Sequence, residues 1–81
     1  DRIARESPLQ AIRLFGQATD LAIAQKDHAA AANALVGITR CYLNLHQMDS
    51  AKVYLLKGIS FQEKTGDKGK LAKLYNNLGV L

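Results

Sequence analysis

Tryptophan is missing from this chain, cysteine and proline occur once each, and nowhere is there a long apolar run. Each shortage removes a class of protein. The lone Cys41 cannot form an internal disulfide, which excludes a small secreted fold stapled by several bridges. Apolar runs stop at four residues, as in Ala29-Ala30-Ala31-Ala32, whereas a transmembrane helix needs about 18 or more. Asp1 opens a charged stretch with no apolar segment behind it, so no signal peptide is expected. Aromatic residues number only five.

What is present points to helices. The chain has 81 residues, enough for one small domain. A chain of this size buries roughly 60% of the surface its unfolded form exposes, so the core is thin. The apolar fraction is 48%, and twelve of those residues are Ala. Alanine has the highest helix propensity and lets backbones approach closely. With 22% charged residues, the composition is not that of a disordered segment. The net charge is +4, and residues 49–81 hold six of the seven Lys against three acids. A nucleic-acid surface would call for clustered Arg with interleaved aromatics. The Lys here are spread around helical faces, so no nucleic-acid partner is expected.

The chain repeats. Setting residue n over residue n+40 aligns Ala11 with Ala51, Asp27 with Asp67 and Ala32 with Ala72. Apolar character also matches at Leu14/Tyr54, Phe15/Leu55, Leu21/Phe61, Ala31/Leu71, Ala34/Leu74, Leu35/Tyr75 and Ile38/Leu78. No gap is needed, and a period of forty lies in the range of stacked repeat units. Each period carries two stripes at helical spacing. They are Ala11, Leu14, Phe15, Ala18, Leu21, Ala22; then Leu35, Ile38, Thr39, Tyr42; then Ala51, Tyr54, Leu55, Gly58, Phe61–Gln62; then Leu71, Leu74, Tyr75, Leu78, Gly79. No segment alternates with a period of two.

Capping chemistry marks the ends. Ser7-Pro8-Leu9-Gln10 reads as a capping box with Pro at the first helical position. Asp27, Asp49 and Asp67 read as N-caps of the next three helices, and Gly66 as a left-handed C-terminal residue. His46-Gln47-Met48 reads as a turn. Helices are therefore expected at about 8–25, 28–45, 50–64 and 68–81. Connections this short make neighbouring helices antiparallel. The predicted fold is all-α, a short right-handed stack of antiparallel helix pairs in one domain spanning 1–81, with 1–6 as the end of a preceding helix or a linker.

Paired helices with small residues at crossing points resemble the tetratricopeptide repeat (TPR) family. Tyr75-Asn76-Asn77-Leu78-Gly79 resembles the start of a repeat's first helix, and Leu35, Ile38, Thr39 and Tyr42 the same helix one repeat earlier. Asp49-Ser50-Ala51 with Leu55 and Gly58 resembles the second helix, as do Ala11, Phe15 and Ala18. The forty-residue period exceeds the family's usual 34 and resembles its longer-helix variant. Two departures stand out: Thr39 where the family usually has Gly, which suggests wider packing, and Gln62–Glu63 in place of Pro. The chain reads as an excerpt of a longer array. The resemblance implies a non-enzymatic module that holds an extended peptide or a partner helix in a concave groove. Asn33, Gly37, Arg40 and Asn44, at i, i+4, i+7 and i+11, and Lys73 and Asn77 fall on the implied groove face. Asn there bonds a peptide backbone, and Arg or Lys meets an acidic side chain or a C-terminal carboxylate.

Other chemistry finds little support. Cys41 and His46 have no third group to orient a nucleophile–base pair. His28 and His46 lack the spacing and companions of a metal site. Gly66-Asp67-Lys68-Gly69-Lys70 departs from a phosphate loop in glycine spacing, in the Leu71 that follows Lys70, and in having no strand before it. No enzyme, cofactor or metal is expected. The lone Cys41 suggests an intracellular, cytoplasmic setting. Two further readings are a regulatory or sensory segment of a larger signalling protein, and a structural stack that self-assembles through its terminal helices, with Leu74, Tyr75 and Leu78 awaiting a partner helix.

Overall fold

The computed structural model describes residues 8–81, which form four helices and, among these residues, no strand. They are α1 (Pro8–Ala24), α2 (His28–Asn44), α3 (Met48–Thr65) and α4 (Lys68–Val80). No helix among them is long and apolar enough to cross a membrane. α1 and α3 start forty residues apart, and so do α2 and α4. The sequence period is thus the period of the elements.

The turns show how the chain reverses. Asp27 and Asp67 cap α2 and α4, each accepting from the backbone N–H three residues on, Ala30 and Lys70, at 3.1 Å. This satisfies donors that the first helical turn leaves free. Gly66 ends α3 in the left-handed region at φ 77°. Lys26, forty residues earlier, does the same without being glycine, at φ 56°, and His46 follows at φ 57°. Both close paired C-terminal bonds: Asp27 N–H to the Ala22 carbonyl (2.8 Å) with Lys26 N–H to Ile23, and Gln47 N–H to Tyr42 (2.9 Å) with His46 N–H to Leu43. The second turn corrects the reading of Asp49. Because His46 already reverses the chain, α3 starts at Met48, Gln47 takes the cap position without a side-chain bond, and Asp49 lies inside the first turn. Its carboxylate there complements the positive helix end instead of capping it. The capping box built on Ser7 lies outside the described residues.

Alanine fills much of the buried interior. Ala31 and Ala32 of α2 and Ala51 of α3 are buried, with Cys41, Leu35 and Ile38 beside them. Burial pushes the Cys41 thiol pKa up, which keeps it protonated and inert at neutral pH. Leu55, Ile59 and Leu74 form a cluster joining α3 to α4, with Val36, Leu71 and Leu78 packed against it. Thr39 is buried, and its hydroxyl donates to the Leu35 carbonyl at 2.9 Å, so the helix absorbs the polar group itself.

Two parts of the expected core differ. Leu14, Ala18 and Leu21 of α1 are exposed, and the buried line is Ala11, Thr19 and Ala22 with half-buried Phe15 between. Thr19 is buried because its hydroxyl donates to the Phe15 carbonyl at 2.8 Å. Among the described residues α1 packs on α2 alone, so they cover only one of its faces. On α4, Tyr75 and Gly79 are exposed for a similar reason, while Leu74 and Leu78 find their partner in α3.

Gly58 offers a direct check of this packing. A Cβ there would meet the Ala32 carbonyl oxygen, Leu35 Cβ and Val36 Cγ2, each at 3.6 Å. These are ordinary contacts, and Ala is about 1 kcal/mol better than Gly in a helix interior. Gly58→Ala is therefore expected to raise the chemical-denaturation midpoint by up to about 1 kcal/mol of stability. A lowered midpoint would mean that α2 and α3 lie closer than described.

Candidate functional site

A cleft of about 390 Å³ opens between α2 and α4. Its α2 wall is Asn33, Val36, Gly37 and Arg40; its α4 wall is Lys70, Lys73, Leu74 and Asn77; Phe15 of α1 and Gln62 of α3 complete it. The walls face each other because α2 and α4 are equivalent helices set side by side by the α3 hairpin. Asn33, Arg40, Lys73 and Asn77 are all exposed along it.

The cleft has two chemistries. Phe15, Val36 and Leu74 supply apolar surface, and Leu74 is itself buried against Leu55 and Ile59. Around them stand three cations, Arg40, Lys70 and Lys73, and among the described residues no carboxylate lines the cleft. Asn33 and Asn77 add amides that both donate and accept. Gln62 is held in place: its side-chain amide donates to Thr65 Oγ1 at 2.6 Å, and that hydroxyl donates to the Gln62 carbonyl at 2.7 Å. Thr65 Oγ1 also accepts from the Asp67 N–H at 3.2 Å, which ties the cleft wall to the turn before α4.

Five of the six expected groove residues, Asn33, Gly37, Arg40, Lys73 and Asn77, therefore line one cleft. Asn44 does not. It lies one turn beyond Arg40 at the end of α2, whereas α4 stops at Val80 and gives it no opposite wall among the described residues. A second depression, of about 310 Å³, continues along the same side past Arg40 and Asn77, and there Leu43 lines it instead of Asn44. Gly37 has a role that spacing did not disclose. A Cβ at this position would stand 2.7 Å from Phe15 Cε1 and Cζ, so the missing side chain is what lets the α1 ring reach the cleft.

Sequence reasoning missed Phe15, Val36, Gln62, Lys70 and Leu74. Lys70 was within reach, since Lys70, Lys73 and Asn77 stand at i, i+3 and i+7 on one helical face. Phe15 was not, because it arrives from another helix through a tertiary contact.

Among the described residues, no three His, Cys, Asp or Glu side chains come together where a metal ion could be held. Outside the cleft, two aromatic pairs bridge α2 and α3. Tyr42 and Tyr54 stack with centroids 5.3 Å apart, His28 tilts against Phe61 at 6.0 Å, and Lys57 and Lys64 stand over Tyr54 and Phe61. Burial, helped by the adjacent Tyr54, raises the Tyr42 phenol pKa. Comparison of the chain with protein-family models, with curated proteins and with solved structures finds no match.

Proposed function

We propose that the chain is a non-enzymatic protein-interaction module of TPR-like architecture that holds an extended, acidic peptide in the cleft between α2 and α4. The observation that carries this reading is the convergence of Arg40, Lys70 and Lys73 on an apolar strip of Phe15, Val36 and Leu74, with no carboxylate among the described residues lining it. A peptide with one apolar side chain on that strip would place flanking Asp, Glu or a terminal carboxylate near the cations. Asn33 and Asn77, on opposite walls, suit its backbone N–H and C=O groups. Charge-assisted bonds from Arg40 would fix the direction of the peptide. The small cleft limits affinity to the micromolar range at best.

The test is a peptide-library screen with the chain and with the Arg40→Ala/Asn77→Ala variant. Both side chains are exposed, so helicity should be unchanged. The chain is expected to enrich peptides with an apolar residue beside acids, and the variant to lose them. Equal retention by both proteins would move the binding surface elsewhere, to the Lys52 and Lys57 side of α3.

A further inference from the structure

The two repeats treat one position of the groove differently. Gly37 of α2 and Asn77 of α4 are equivalents forty residues apart, and so are Phe15 of α1 and Leu55 of α3. Phe15 and Gly37 both line the cleft between α2 and α4, and Leu55 and Asn77 both line the depression beyond it. In the second pair the asparagine is exposed and Leu55 stays beneath, 1% exposed. In the first pair Gly37 has no side chain, and the larger Phe15 is only half-buried. A Cβ at Gly37 would stand 2.7, 2.7 and 2.9 Å from Cε1, Cζ and Cδ1 of that ring. Three successive ring atoms this nearly level mean that the ring lies with its face on α2, since an edge-on ring would leave Cδ1 well behind the other two.

We infer that the Phe15–Gly37 pair sets the residue preference of the cleft: it makes an apolar subsite for one side chain of leucine size, where the Leu55–Asn77 pair makes a polar one. The inference rests on the peptide reading above. The ring closes one side of the apolar strip that Val36 and Leu74 continue. At about 390 Å³, the cleft is near the low end of ligand sites, roughly 300–1,000 Å³. It also has to hold peptide backbone and an acidic group, which leaves room for a leucine or methionine side chain and not for the indole of tryptophan. Asn77 serves the adjoining stretch of peptide backbone with its amide. The ligand class is therefore an acidic peptide with a single anchor that is medium-sized and not aromatic.

Fluorescence anisotropy tests this with three labelled acidic peptides that differ only in one central residue: leucine, tryptophan or alanine. The parent is expected to prefer the leucine peptide to both others by about tenfold, the discrimination a hydrophobic pocket gives for a misfit of methylene size. Phe15→Ala opens one side of the subsite and should reverse the order of leucine and tryptophan. Phe15→Leu/Gly37→Asn copies into the first repeat the pair that the second already carries, so it should keep the helicity of the parent. It should bind the leucine and alanine peptides equally, through the cations alone. Should Phe15→Ala fail to fold, the copied pair carries the test. A parent that prefers tryptophan, or variants with the parent's preferences, would overturn this inference; the peptide reading would still stand if Arg40→Ala/Asn77→Ala abolishes binding. No binding of any of the three peptides by the parent would overturn both.

Discussion

Leu55→Ala is expected to lower the unfolding free energy by about 2–5 kcal/mol, the range for emptying a buried leucine site. Leu55 is only 1% exposed and belongs to the cluster with Ile59 and Leu74 that Val36, Leu71 and Leu78 complete. It therefore joins α2, α3 and α4 at one point. A chain of 81 residues has a total stability on the order of 4–12 kcal/mol, so the loss would be a large share of it. α4 should suffer first, because Leu74 is its only buried residue. Urea denaturation followed by circular dichroism gives the magnitude, and hydrogen exchange gives the place. The α4 amides should lose protection beyond those of α1 and α2. A midpoint within experimental error of the parent would show that the cluster is not the core.

Ala51→Leu acts in the opposite sense, by overfilling. Ala51 is fully buried on the α3 face that also carries buried Leu55 and Gly58, and a close-packed interior takes three more carbons only by shifting its neighbours. The expected cost is about 1–3 kcal/mol. Lys57 would be an imperfect control, because its Nζ lies 4.9 Å from the Tyr54 ring centroid and the contact is worth about 0.5–1 kcal/mol at an exposed site. Lys52 is exposed on the same helix, and Lys52→Leu should stay within about ±0.5 kcal/mol. Equal midpoints for Ala51→Leu and Lys52→Leu would contradict the packing described.

Local signals carried most of the fold into the sequence. Asp27 and Asp67 marked helix starts because a carboxylate at the N-cap answers free N–H groups nearby in the chain. Gly66 marked an end because its φ favours glycine. Lys26 and His46 adopt the same left-handed backbone with no glycine to announce it, and Asp49 consequently misled by two residues. The α1 stripe shows another limit. Periodicity placed Leu14, Ala18 and Leu21 together on one apolar face, but burial needs a neighbour, and periodicity does not say whether one is present. The candidate site divides similarly. Arg40, Lys73 and Asn77 follow from register, since equivalent helices lie side by side. Phe15 and Gln62 enter the cleft only through packing of α1 and α3.

The most direct measurement of the central claim is an amide chemical-shift titration of the isotope-labelled chain with a short acidic peptide carrying one leucine, at protein concentrations low enough to keep it monomeric. If the cleft between α2 and α4 is the peptide site, saturable shifts should gather at Asn33, Gly37, Arg40, Lys70, Lys73 and Asn77, and should vanish in the Arg40→Ala/Asn77→Ala variant. Saturable shifts confined to the Lys52 and Lys57 side of α3, or unchanged by the double substitution, would contradict the account.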